Sequence, residues 1–521
     1  MPNLPTVTLD GTLADLYKRA GPNYKDKRIA QAVCLASSAI HLSEDIPRNV
    51  KYLYQDGAFN ECSDEDGSFC LGAAWEREWS VKMNALSPQR DAFLSGNTPV
   101  VMFHMGDSDA QRAHDKSEVE RTMSALSPTQ RPEIRFCLGP GDMPVKEKDI
   151  DLISFKLVFD GLEGHKVIMP LETAWYINTK EALARSDLPT PRCDIVRVEG
   201  HGNVACCETC RNHNSFIIPA GCTGTRGAWF SEQSAKIYQA ISSHPLPFVF
   251  KNQQAYSGAG THLVRNEGER QKLIQYLRNG ALRRLLSFVN ESNQHLGPAM
   301  ILLTEFVADE IGNYGISFFV TEDPDAPVFL AVTEQILLEG KHYIGSSIRY
   351  DRQDALKKKF DRLVKDMARW YRGYGYVGPV GVDVLETAGP SKDGQQQQVG
   401  SRMQNGKRER DIGNDEHSVF HVLDLNARPS GQLCLPLLRS HFTSRGLQCA
   451  ASFFMRILKR RNNFISLFEK EFEEGRVCIL SWYDDLESDV SFGNVVVGAE
   501  DPNGLVEDMQ RIRDISEEVM F

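Results

Sequence analysis

Two apolar stretches, Val380–Leu385 (VGVDVL) and His421–Pro429 (HVLDLNARP), carry acids into what otherwise reads as core. Between them lies a segment that a folded domain cannot bury. Gly389–Ser418 reads GPSKDGQQQQVGSRMQNGKRERDIGNDEHS, with four consecutive Gln and only one Ile, one Val and one Met. Such a composition cannot offset its own ordering entropy, so the segment reads as a disordered insertion between two strands. Asp383 and Asp424 are 41 residues apart, and the insertion accounts for 30 of them. What remains is the length of a simple hairpin. Asp424 and Asn426 stand two apart and so face one side of their strand, and Asp383 can join them from the neighbouring strand. Three converging oxygen donors suit Mg²⁺, a hard cation usually shared between carboxylates and substrate phosphates. Arg428 continues the same face. Surface acids beside a turn are the plainer reading, but they leave the apolar Val380, Val382, Val422 and Leu425 around them poorly explained.

Two weaker features precede this pair. In LPFVFKNQQAYSGAGTHL (246–263) a hydrophobic strand ends at Lys251 and is followed by a loop with Gly258 and Gly260. Backbone N–H groups of such a loop can cradle phosphate oxygens while the lysine supplies a point charge, although glycine loops also serve as plain hairpin turns. It is neither a Walker loop, since GKS or GKT is absent, nor a dinucleotide fingerprint, because the run after the glycines is too polar to open a packed helix. In ILLTEFV (301–307) a strand ends in Glu305, with Phe306 and Val307 behind it. That pattern can offer backbone groups to a flat base and a carboxylate to its exocyclic amine; taken alone, it reads as an ordinary edge strand.

In this order the pieces resemble the ATP-grasp superfamily of carboxylate–amine ligases. That family shows a strand-end Lys with a Gly-rich lid, an acid-plus-hydrophobic adenine hinge, an acid on one strand and E-x-N-x-R on the next. The matching residues are Lys251 with Gly258 and Gly260, then Glu305–Val307, Asp383, and Asp424-Leu-Asn426-Ala-Arg428. INTKEALARSDLPTP upstream resembles the family's entry helix, which makes Lys180 a second phosphate contact. The likeness covers roughly residues 178–450. EQILLEGKHYIGSSIRY (334–350) and NARPSGQL (426–433) are similar to the peptide-ligase branch and to fungal ATP-grasp proteins of secondary metabolism. There are two departures. Asp424 stands where the family has Glu, with a side chain one methylene shorter. The ribose-binding Glu after the hinge has no clean counterpart, leaving Asp309, Glu310 and Asn313 as candidates.

The resemblance implies an ATP-dependent ligase, expected to join a small carboxylic acid to an amine, such as an amino acid, through an acyl phosphate. Lys180 and Lys251 are then expected on the phosphates. Gly258, Gly260, Thr261, Glu305, Phe306, Val307 and Asn313 are expected around the nucleotide, and Asp383, Asp424 and Asn426 on Mg²⁺ or Mn²⁺. Arg428, together with Lys251, is expected to stabilise the transferring group. Ser257 is a further lid candidate, and Gln335, His342, Tyr343, Arg349, Ser430 and Gly431 are candidates for the acceptor side. A kinase-like member stopping at phosphoryl transfer, or a non-enzymatic ATP-binding scaffold, are the alternatives; the retained Asp383, Asp424, Asn426 and Arg428 argue against the scaffold.

The rest of the chain fits this frame. In 521 residues, 41% hydrophobic and 25% charged, several cores can form. A net charge of −11 argues against a nucleic-acid coat or an anionic-membrane binder. No apolar run is long enough to span a bilayer, and the first residues lack a secretory h-region. A cytoplasmic setting with reduced thiols is the expectation. Residues 1–175 read as an N-terminal α/β domain, with a helix around Lys27–Ala39, a loop at 61–68 and strands including Thr98–Phe103 and Ile134–Leu138. Residues 176–300 read as a small lobe with the Gly-rich lid, including a basic amphipathic helix over 269–290. Residues 301–460 read as a large lobe with the metal site. Residues 461–521 read as a C-terminal βα unit packed behind, with a strand at Ser491–Val497 and a helix over 505–519. The run EGHGNVACCETCRNHN gathers His201, Cys206, Cys207, Cys210 and His213. Cys207-x-x-Cys210 has zinc-ligand spacing, but there is no second pair, only Cys222 nearby. The favoured reading is a loop with buried or free thiols.

Overall fold

The computed structural model describes residues 4–34, 41–55, 58, 74–106, 108–145, 149–202, 206–213, 216–255, 258–338, 342–389 and 418–517. The expected insertion, apart from Gly389 and Ser418, and the expected loop at 61–68 lie outside the described residues. Among the described residues, three sheets make up the mixed α/β architecture. The first contains β1 (Ile29–Ala32), β2 (Pro99–Phe103), β3 (Glu133–Cys137) and β4 (Leu152–Phe155), all parallel, in the order β3-β2-β1-β4. Parallel neighbours need long crossovers, and helices Ala74–Ser95 and Asp109–Met123 supply two of them.

The sequence reading misplaces β1, since a helix is expected around Lys27–Ala39. All four β1 residues are buried, between β2 and β4. A strand inside a parallel sheet shows no alternation, and IAQA has ordinary helix formers, so pairing overrides local preference. Residues 35–40 of that expected helix are outside the described residues.

The second sheet is antiparallel: β5 (Cys193–Val196), β6 (Phe248–Asn252), β7 (His262–Val264) and β8 (Ile301–Glu305), in the order β5-β8-β6-β7. Its core joins Phe248 and Phe250 to Ile237 and Ile241 of helix Thr225–Ser243 and to Leu285 and Leu286. The basic helix expected over 269–290 is divided. Segments Glu267–Tyr276 and Leu282–Ser287 flank a wide turn at Leu277–Ala281, where Gly280 takes φ +127°, a conformation other residues rarely adopt.

The third sheet carries the longest strands: β9 (Glu310–Val320), β10 (Val328–Leu338), β11 (His342–Arg349), β12 (Gly378–Ala388), β13 (Ser418–Asn426), β14 (Cys449–Ile457), β15 (Val477–Asp484) and β16 (Ser491–Ala499). The order is β13-β12-β9-β10-β11-β14-β16-β15, antiparallel throughout, and Ser516–Glu517 adds a short pairing to β14. Residues 461–517 therefore differ from the expected unit packed behind. β16 pairs with β14, so this region extends the large sheet edge to edge. Its helix is shorter than expected, Pro502–Arg513, because the chain turns into that terminal strand.

Helix Gln353–Gly373 covers one face of this sheet. Leu356, Phe360, Leu363, Val364, Met367, Ala368 and Tyr371 recur at the helical period and are buried. Phe360 meets Tyr314 of β9 and Phe420 of β13 at ring-centroid distances of 5.3 and 4.9 Å. Tyr17 ties the first sheet to the third, with its hydroxyl 2.8 Å from Ser154 Oγ and its ring edge-on to Phe319.

Phe360 is fully buried, so Phe360→Ala should lower stability by about 3–5 kcal/mol. Denaturant unfolding checks this; a midpoint unchanged from the parent would contradict the packing described.

Candidate active site

Antiparallel pairing places Asp383 directly opposite Asp424 and Gly381 opposite Asn426. Beyond them the register slips, and Val384 pairs with Val422. Leu423 is thus the extra residue of a β-bulge. The bulge resolves a conflict in the sequence. Val422 and Leu425 are both buried although three residues apart, which strict alternation forbids. Inserting Leu423 turns both inward and leaves Asp424 and Asn426 together on the other face.

A lysine from another sheet takes up the bulge. Lys251, on β6, donates from Nζ to the Leu423 carbonyl at 3.2 Å. Lys180 Nζ lies 3.6 Å from Asp424 Oδ1. Both lysines are positioned by Gln253, two residues beyond Lys251. Its carbonyl accepts from Lys180 N (3.2 Å) and its side-chain oxygen from Glu181 N (3.1 Å). Thr179 Oγ1 caps the same short helix by accepting from Ala182 N at 3.1 Å.

Asn178 and Arg428 complete the group. Asn178 Oδ1 accepts from Ala427 N at 2.8 Å and from Arg428 Nη1 at 3.2 Å, and Arg428 also donates to Asn426 Oδ1. Tyr54, Asn178, Lys180, Asp424, Asn426 and Arg428 line a small open cleft together with the start of the β6–β7 loop.

The charges are held against their preferences. Burial and the neighbouring Asp424 push the Asp383 carboxyl up to about 7, against the pull of Gln335, Lys180 and Lys251. Burial and nearby Lys180 lower the Lys251 ammonium below its usual range. Two carboxylates side by side and two ammonium groups side by side call for a cation on the first pair and an anion on the second. The Asp383 and Asp424 carboxylates with the Asn426 amide oxygen form an all-oxygen donor set. These residues fit Mg²⁺ or Mn²⁺.

The structure thus brings together Asp383, Asp424, Asn426, Arg428, Lys180 and Lys251. Gly258, Gly260 and Thr261 lie on the β6–β7 connection, where both glycines have positive φ and Thr261 N closes a turn on the Gly258 carbonyl at 3.0 Å. Glu305, Phe306 and Val307 sit where β8 leaves for β9, with Glu305 in electrostatic reach of His421. Asn313 pairs with Leu385. Among the described residues, no hydrogen bond joins Gly258, Gly260, Thr261, Glu305, Phe306, Val307 or Asn313 to the acidic pair. Ser257 and the side chains of His342 and Tyr343 are outside the description. Arg349 pairs with Asp351 at 2.7 Å.

Asn178 and Gln432 fall inside the quoted runs INTKEALARSDLPTP and NARPSGQL but have no role assigned there, and Gln335 is expected on the acceptor side. Asn178 stands two residues before Lys180. Gln335, a candidate for the acceptor side, donates to Asp383 Oδ1 at 2.8 Å. Gln432 lies over β9, its Oε1 accepting from Thr333 Oγ1 at 2.9 Å. A Cβ on Gly315 would sit 1.9 Å from that Gln432 oxygen, and one on Gly381 would sit 2.5 Å from Ser430 Cβ. Both glycines therefore make room for segment 430–432 beside the acids.

No protein-family model matches the chain, and no curated protein sequence matches it. Solved structures with partial similarity include N5-carboxyaminoimidazole ribonucleotide synthetase from Thermus thermophilus, at 12% identity and TM-score 0.44, covering 85% of this chain and 97% of that one. The Staphylococcus aureus N5-carboxyaminoimidazole synthetase complexed with ADP has 13% identity and TM-score 0.42, covering 83% and 93%. A biotin carboxylase β,γ-ATP complex from Campylobacter jejuni has 11% identity and TM-score 0.45, covering 95% and 93%. Overlaps this loose transfer neither activity nor ligand to this chain.

The raised carboxyl has a consequence for the metal-free protein. Asp383 takes up its proton more readily when folded, about 7 against 3.8, so the folded state binds more protons between those values. Stability from this group is therefore lost as pH rises from about 4 to about 7. Asp383→Asn should lack that component and gain stability relative to the parent near neutral pH. Melting curves across this range in chelator check it; parallel pH profiles for the two proteins would contradict the electrostatic account.

Proposed function

We propose that this chain is an ATP-grasp carboxylate–amine ligase. The observation that carries the reading is the Asp383–Asp424 pair, set directly across two strands and flanked by Lys180 and Lys251 from separate elements. Residues 1–175 serve as the N-terminal domain, 176–300 as the small lobe with the Gly-rich lid, 301–460 as the large lobe and 461–521 as an extension. The ten described cysteines are free thiols, which supports a reducing, cytoplasmic setting. No helix among the described residues is long and apolar enough to cross a membrane. EQILLEGKHYIGSSIRY and NARPSGQL support the peptide-ligase and secondary-metabolism branch.

Asp383, Asp424 and Asn426 would hold Mg²⁺, which when bound supplies charge neutralisation on the β- and γ-phosphate oxygens. Lys180 and Lys251 bind those oxygens as point charges, and burial of Lys251 strengthens its field. Gly258, Gly260 and Thr261 close over the phosphates, and Glu305, Phe306, Val307 and Asn313 receive the nucleoside. A substrate carboxylate oxygen attacks the γ-phosphorus, ADP leaves, and an acyl phosphate forms. The amine attacks the acyl carbon, a proton is lost from nitrogen, and inorganic phosphate departs to leave an amide. Arg428, oriented by Asn178 and Asn426, stabilises the transferring phosphoryl and then the tetrahedral oxyanion. No protein nucleophile is needed; orientation and fixed charge do the chemistry.

A screen of amino acids and small acids with heavy-oxygen-labelled carboxylates tests this. The expected products are ADP, an amide, and inorganic phosphate carrying one label from the acid. ADP with a stable phosphorylated product would replace the ligase by a phosphotransferase, and absence of nucleotide turnover over the whole screen would favour a binding scaffold. Arg428→Ala should lower kcat by about 10²-fold or more while leaving ATP affinity near that of the parent. Lys180→Ala and Lys251→Ala should weaken ATP binding itself, read by calorimetry; unchanged affinity in both would remove the phosphate assignment.

A further inference from the structure

Among the described residues outside this cleft, a cluster of four thiols lies on the small lobe. Cys206, Cys207, Cys210 and Cys222 bring their four Sγ atoms within 4.8 Å of one another. Cys222 is central, with Sγ···Sγ distances of 3.6 Å to Cys206, 3.8 Å to Cys207 and 3.3 Å to Cys210. A disulfide needs about 2.05 Å, so these are separate thiols. A tetrahedron of sulfurs about 2.3 Å from a central ion has edges near 3.8 Å. The three edges at Cys222 are close to that, and the other three are no longer than 4.8 Å.

Backbone N–H groups point at three of the four sulfurs. Arg226 N donates to Cys206 Sγ at 3.3 Å. The N–H groups of Cys210 and Thr223 are directed at Cys207, and that of Gly224 at Cys222. Such N–H···S contacts stabilise thiolates and orient metal ligands. Gly224 and Gly227 permit the close approach: a Cβ on Gly224 would lie 2.4 Å from Cys206 Sγ, and one on Gly227 1.9 Å from the Cys222 carbonyl.

We propose that Cys206, Cys207, Cys210 and Cys222 bind one structural zinc ion. All four positions come from protein, so no open site remains for catalysis. Three ligands sit at or just before helix Glu208–His213, and the fourth just before helix Thr225–Ser243. The ion therefore closes the intervening loop. That loop is docked on the lobe by Ile218 N to Ser287 Oγ at 2.9 Å and by Arg283 Nη1 to the Ile218 carbonyl at 3.2 Å. The zinc staples the face of the small lobe without touching the phosphate lysines. This replaces the sequence expectation of a loop of free thiols; His213, whose side chain is outside the description, is not required as a ligand.

The test is elemental analysis of the full chain purified with reductant and without chelator. The expected result is one zinc per chain, lost in Cys207→Ser and in Cys222→Ser and kept in Cys137→Ala, whose thiol is remote on β3. Should the serine variants fold poorly, mercurial titration of the parent decides: one zinc is released as four thiols react, and cobalt exchanged into the site gives tetrahedral thiolate absorption. A zinc-free parent whose four thiols react freely, or whose mass shows disulfides among them, would overturn the proposal, as would stoichiometric iron in place of zinc.

Discussion

Two carboxylates that face each other across a pair of strands set the terms for everything around them. Asp383 and Asp424 are direct partners in the β12–β13 ladder, where like charges repel. Their side chains share one face only because Leu423 bulges. Without that extra residue, burying Val422 would drive Asp424 and Asn426 to the face occupied by helix Gln353–Gly373. A defect in regular pairing is therefore what assembles the acidic pair, and it is exploited further when Lys251 takes the bulged residue's carbonyl. One contact thus joins a strand of the second sheet to the acidic strand of the third.

Complementarity then spreads outward. Gln253 places the helix bearing Lys180 against the strand bearing Lys251, so the two ammonium groups arrive together. Asn178 fixes both the Ala427 backbone and the Arg428 guanidinium. Gly315 and Gly381 leave space for segment 430–432. The result is a region in which like charges are paired on both sides at a cost in stability. Such unfavourable pairing is characteristic of sites whose charges are completed by a ligand.

Much of this was legible in the chain. The two-residue spacing of Asp424 and Asn426, the polar stretch between two apolar strands and Lys251 at a strand end each carry their chemistry locally. The bulge was also visible in part, since Val422 and Leu425 are both apolar at a spacing strict alternation does not produce. Other features depend on partners distant in sequence. Asn178 and Gln432 look like ordinary polar residues until the fold brings them to Arg428 and Gly315. β1 resembles a helix because its burial on both faces erases the period. The cysteine cluster lacked a second C-x-x-C, and only the turn leading into helix Thr225–Ser243 returns Cys222 to the other three.

The account turns on whether the acids act through a divalent ion that anchors a polyphosphate. Calorimetric titration of ATP into the parent and into an Asp383→Asn, Asp424→Asn double variant, each with Mg²⁺ and with chelator, tests this directly. The account predicts that Mg²⁺ strengthens ATP binding to the parent and has no effect on the double variant, whose fold is retained. Equal dependence on Mg²⁺ in both proteins, or ATP binding to the parent that ignores the ion, would contradict it.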